Sequence, residues 1–137
     1  MPAIAGFWSS VLCQSKMTII SSSPSTRVLN GGRVVLTSGI SDWISTGCKP
    51  YDNQPSPLDE EWRRHCIAVI LTSHLGGDQL DTCDSDHELN RVAFDHPGEG
   101  HRVVNVWNRN STGKIFAITD DYGGEDAVTT IMWAGEY

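Results

Sequence analysis

No run of apolar residues in this 137-residue chain approaches the ~20 that a membrane-spanning helix needs. Three phosphate- and ester-handling motifs are missing as well: G-x-x-x-x-G-K-S/T, G-x-G-x-x-G and G-x-S-x-G. Nucleoside triphosphates, dinucleotides and an esterase elbow therefore lose their usual support. The four cysteines, Cys13, Cys48, Cys66 and Cys83, contain no C-x-x-C pair, which argues against a zinc knuckle or a thioredoxin-like dithiol. Cys66 falls on an apolar helical face, the usual setting of a free buried thiol, so a reducing, cytoplasmic compartment is expected. Met1–Lys16 has neither a basic start nor a small-x-small cleavage site and does not read as a signal peptide.

Positive charge is scarce where negative charge gathers. The net charge is −7, and residues 78–137 hold 12 acids against four bases, Arg91, Arg102, Arg109 and Lys114. A field of that sign repels phosphate backbones and disfavours direct nucleic-acid binding. It suits a cation or a basic protein partner, and it also keeps a small domain soluble.

What is present is enough chain for one core. Hydrophobic and charged contents of 39% and 20% are ordinary for a globular domain. Residues 1–25 read as a poorly ordered extension with a Ser/Pro linker, and Met17 offers an alternative start. Residues 26–137 read as a single α+β domain. Gly31-Gly32 marks a turn, Arg33–Thr37 a strand ending by Gly39, and Asp42–Ser56 a surface loop. Ser56 then caps a helix with Pro57 at its first position and acids in its first turn. Leu58, Trp62, Cys66, Val69 and Ile70 make its apolar stripe. After an acidic loop, Gly76–Glu88, the runs Leu89–His96, His101–Arg109 and Lys114–Thr119 read as a β-meander. An amphipathic helix from about Glu125 to Tyr137 closes the chain. The expected architecture is an antiparallel meander plus an N-terminal strand, with two amphipathic helices on one face.

Three blocks resemble a known family. Gly31–Ile40 (GGRVVLTSGI), Ile118–Tyr122 (ITDDY) and Ala127–Tyr137 (AVTTIMWAGEY) are similar to segments of a small bacterial family, domain of unknown function 3768. The resemblance implies a bacterial origin and a shared fold but no reaction, because that family has no assigned activity to carry over. The family's middle motif corresponds to Asp84–Asn90 (DSDHELN), where the order of acid and histidine is not kept.

Two functional readings follow. In the first, the chain is a non-enzymatic interaction module that needs no cofactor. It presents Asp84, Asp86 and Glu88 of the acidic loop, with Asp120 and Asp121 of the later turn, to a basic protein. In the second, Pro97–Gly100 is a hairpin loop that sets His96 opposite His101, about 5 Å apart at Cβ. With a carboxylate, those imidazoles would hold a divalent metal for a small hydrolase or nuclease; His87, at the far end of the same ~25 Å strand, joins that site only if the acidic loop folds back. A Cys83–His87 thiolate pair is opposed by its acidic neighbours, which raise a thiol pKa. Asp120 and Asp121 also suit turn formation beside Gly123-Gly124, and Trp8 and Trp43 are candidate exposed anchors. A homo-oligomer formed through the last helix is a third possibility.

Overall fold

The computed structural model describes residues 31–50 and 54–137, together with the backbone of residues 18–20. The elements run β1 (Thr18–Ile20), β2 (Arg33–Leu36), α1 (Ser38–Thr46), α2 (Glu60–Leu75), α3 (Asp84–Asp95), β3 (Val103–Arg109), β4 (Gly113–Asp120) and β5 (Val128–Trp133). A 3-10 turn, Ala134–Glu136, ends the chain. The fold is α+β, as expected. Its sheet is mixed, in the order β1-β2-β5-β4-β3, with β2 and β5 parallel and the other neighbours antiparallel.

Four expected elements differ. The closing helix is strand β5, whose Thr129, Ile131 and Trp133 are buried in strict alternation. Val128, Ile131 and Met132 satisfy a helical spacing, but four of six residues are Val, Thr or Ile, and β-branched side chains favour the pleated surface. The strand placed at Leu89–His96 is the C-terminal part of α3, which buries Asn90 and Ala93 and exposes Leu89 and Val92. The first third of the Asp42–Ser56 loop, Asp42–Thr46, belongs to α1. Thr37 caps that helix, its hydroxyl accepting from Ile40 N, and Gly47 ends it in the left-handed region at φ 80°. Trp43 is accordingly core rather than an exposed anchor, and it meets Trp133 edge to face at 5.2 Å.

The second helix is real, but its cap and its buried face are both shifted. Asp59 replaces Ser56 as the N-cap, accepting from Trp62 N at 2.9 Å. The buried face is Arg63, Ile67, Ile70, Leu71 and His74, leaving Trp62 57% exposed. Polar residues on the inner face account for the error. Among the described residues Arg63 has no carboxylate partner; its Nε and Nη2 donate to Ile44 O at 3.1 and 2.9 Å, placing a cation on the negative end of α1.

The core lies between one sheet face and helices α1 and α2. Val34, Leu36, Ile115, Ala117, Ile131 and Trp133 point from the strands toward Ile40, Trp43, Ile44, Ile67 and Ile70. The Gly31-Gly32 turn is present, with Gly32 at φ 63° against the Ala127 carbonyl. Cys48, Cys66 and Cys83 are free thiols, and burial raises the pKa of Cys66. No helix among the described residues is long and apolar enough to cross a membrane. Apart from Thr18–Ile20, the 1–25 extension, Trp8 and Cys13 lie outside the described residues.

Candidate functional site

A chain of hydrogen bonds runs through the core beneath α2, and its direction can be assigned from one end to the other. Thr129 Oγ1 donates to the Gly31 carbonyl at 3.0 Å. A hydroxyl has one proton, so the 2.7 Å contact with Thr119 Oγ1 must be donated by Thr119. Thr119 has then used its own proton and accepts from His74 Nε2 at 2.7 Å. The neutral imidazole is thereby the Nε2–H tautomer, and its Nδ1 accepts from Asn105 Nδ2 at 2.8 Å. Burial pushes the His74 pKa down to about 4, so the ring is neutral near pH 7.

The other end of Asn105 reaches the edge of the sheet. Asn105 Oδ1 accepts from Thr82 Oγ1 at 3.0 Å and from Asn90 Nδ2 at 3.2 Å. Those two side chains in turn satisfy the outer backbone of edge strand β3. Val106 N donates to Thr82 Oγ1 and Val104 N donates to Asn90 Oδ1, each at 2.9 Å. Asn90 Nδ2 also donates to Val104 O at 2.8 Å, and Asp81 N donates to Val106 O at 2.8 Å. Asn108 N donates to the Asp81 carboxylate at 2.9 Å. The outward-facing groups of Val104 and Val106 and the Asn108 N–H are therefore occupied, which closes this part of the edge to another strand. Arg109 donates to the same carboxylate and, with Asn108, holds the Asp81 pKa below its usual range.

On the sheet face away from α1 and α2, Val104, Val106, Phe116 and Met132 are half-buried. A shallow, open groove of about 400 Å³ runs along this face beside β3. Val104, Val106, Phe116 and Tyr137 line it together with Asp81, Asp86 and Lys114. Tyr137, expected on the apolar side of a helix, is exposed and packs edge to face on Phe116 at 5.5 Å.

Of the expected acidic residues, Asp86 lines this groove. Asp84 and Asp86 occupy the first turn of α3, and Glu88 follows with Arg91 at 3.3 Å in an exposed pair. Asp86 accepts from the Cys83 thiol at 3.4 Å, so that thiol is paired with Asp86 rather than His87. Asp120 holds Arg102 at 2.6 Å just before β3 begins, and Arg102 also donates to Tyr137 Oη at 2.9 Å. Asp121 does turn work: it sits at φ 53° and accepts from Asp126 N at 3.3 Å.

The histidines meet differently from the expected hairpin. Pro97–Gly100 connects α3 to β3, and His96 is the C-cap of that helix. The His96 and His101 rings still come within 6.3 Å, and His96 Nδ1 lies 3.0 Å from Glu99 Oε2. His87 is on α3, nine residues before His96, with a buried and unpartnered Nε2. Among the described residues no group of three or more His, Cys, Asp or Glu side chains has the arrangement to hold a metal ion.

The residues that organise the region, His74, Asn90, Asn105 and Thr82, were not candidates from sequence. His74 read as a helix terminator, and Asn105 as an ordinary strand position. The available signal was Asn105 itself, a strand-disfavouring amide in the run Val-Val-Asn-Val-Trp. Comparison with protein-family models, curated proteins and solved structures gave no match to this chain.

Proposed function

We propose that the chain is a non-enzymatic interaction module whose open sheet face receives a basic segment of a protein partner. The observation that supports this reading is the groove itself. Its apolar lining of Val104, Val106 and Phe116 is joined by two carboxylates, Asp81 and Asp86, and one cation, Lys114; Asp84 and Glu88 lie on the same helix as Asp86. Apolar side chains of a partner would enter the groove while its Lys or Arg residues meet the carboxylates of α3, giving both burial and charge complementarity. The closed β3 edge favours side-chain docking on the face over addition of a strand at that edge.

A short peptide alternating Lys and Phe, titrated into the ¹⁵N-labelled protein, tests the proposal. The expected amide shifts cluster at Val104, Val106, Phe116 and Tyr137. Reversing Asp84, Asp86 and Glu88 to Lys should weaken binding at least about tenfold at low salt, with a smaller effect at high salt. Unchanged affinity in the triple variant, or shifts scattered over the helical face, would overturn the proposal.

A further inference from the structure

We propose that His74 is an acid-sensitive latch on the sheet edge: protonating its Nδ1 uncouples Asn105 from Thr82 and Asn90 and exposes the backbone of β3. The argument is one of donors and acceptors. Neutral His74 offers one acceptor, Nδ1, and Asn105 Nδ2 fills it. A proton there sets two N–H donors face to face. If Asn105 turns its amide over to present Oδ1 to the imidazolium, its Nδ2 then meets the Nδ2 of Asn90, whose two N–H groups are left to Gln79 Oε1 and Val104 O, and Thr82 loses its acceptor. The conflict therefore moves to Asn90 and Thr82, the side chains that satisfy Val104 N and Val106 N. Without the turn, the link between His74 and Asn105 is lost directly.

Among the described residues no charge is placed to offset an imidazolium. The groups in contact with His74 are neutral, Asn105 of β3 and Thr119 of β4, with Thr129 of β5 behind Thr119. On its own helix the preceding titratable side chain is Cys66, and in the following loop Asp78 is engaged by Leu80 N. Burial alone lowers the pKa, with no Coulombic contribution from a neighbouring acid or base. The side chains bonded to the β3 edge come from Asp81, Thr82 and α3, all peripheral to the β2–β5–β4 centre of the sheet. They can therefore open before the rest of the sheet does.

Amide exchange on the full ¹⁵N-labelled chain at several pH values, each with and without dilute urea, reads this opening directly. Imidazole ¹⁵N–¹H correlations on the same samples should show the Nε2–H tautomer of His74 at pH 7. Protection factors at Val104 and Val106 should fall by up to about 20-fold between pH 7 and pH 5, the factor expected when a pKa of 6.5 drops to about 4. That fall should depend only weakly on urea and should be absent in His74→Gln. An Nδ1–H tautomer at pH 7 would overturn the latch. So would equal protection and equal urea dependence at Val104, Val106 and the central amides Thr130 and Ile131, since opening would then be global. Should His74→Gln not fold, the tautomer and the wild-type exchange decide the question alone.

Discussion

Gly32 shows how one residue can carry two constraints. Its φ of 63° is in the left-handed region, and a Cβ there would stand 2.1 Å from the Ala127 carbonyl oxygen. Gly77 shares the backbone constraint at φ 85° but has nothing within 4 Å. Gly77→Ala should cost about 1 kcal/mol, the ordinary penalty for an L-residue in that region. Gly32→Ala should cost distinctly more, upward of roughly 2 kcal/mol, because the turn must also move off Ala127. Urea denaturation of the two variants side by side measures the difference; equal losses would mean that the close approach relaxes freely. Arg63 and His74 make a related point, since both are buried polar residues on the face of α2 that apolar spacing assigns elsewhere.

At the level of elements, the last ten residues hold the architecture together. Strand β5 lies between β2 and β4, and it is followed at once by a turn whose Glu136 carboxylate reaches back to α1. Glu136 Oε2 accepts from Thr37 Oγ1 at 2.8 Å and from Trp133 N at 2.9 Å. The segments Gly31–Ile40 and Ala127–Tyr137 are thus neighbours: β2 runs parallel to β5, and Thr37 is tied to Glu136. Glu136→Ala should remove both bonds, costing about 1–3 kcal/mol. It should also speed amide exchange in the first turn of α1 more than in α2. Uniform exchange across both helices would show that Glu136 does not act through α1.

For the molecule as a whole, the buried imidazole sets a pH dependence whose sign follows from the direction of its shift. His74 stays neutral in the fold down to about pH 4, whereas the unfolded chain takes up that proton below about 6.5. The stability it contributes is present above pH 6.5 and is lost as pH falls toward 4. The loss should be about 2 kcal/mol by pH 5, read by urea denaturation at pH 7.5 and pH 5. Asp81, with its pKa lowered by Arg109, withdraws its own contribution only at more acid pH, below the usual Asp range. A His74→Gln protein that lost as much stability as wild type over this interval would show that another group controls it.

The sequence by itself determined the α+β class, the existence of α2, the β3–β4 hairpin and the Gly31-Gly32 turn. Each rests on local chemistry: acids at a helix start, alternation in short runs, glycine where φ is positive. Only the tertiary structure decided that Val128–Trp133 is a strand, that Asp84–Asp95 is a helix, and that α2 turns Arg63 and His74 inward. Val128, Ile131 and Met132 fit both periods, and the partners that break the tie, β2 and β4, come from elsewhere in the chain. The hydrogen-bond chain from Gly31 to Asn90 was out of reach for the same reason. Its links join residues up to 98 positions apart, and no local pattern records where a buried imidazole finds its acceptor.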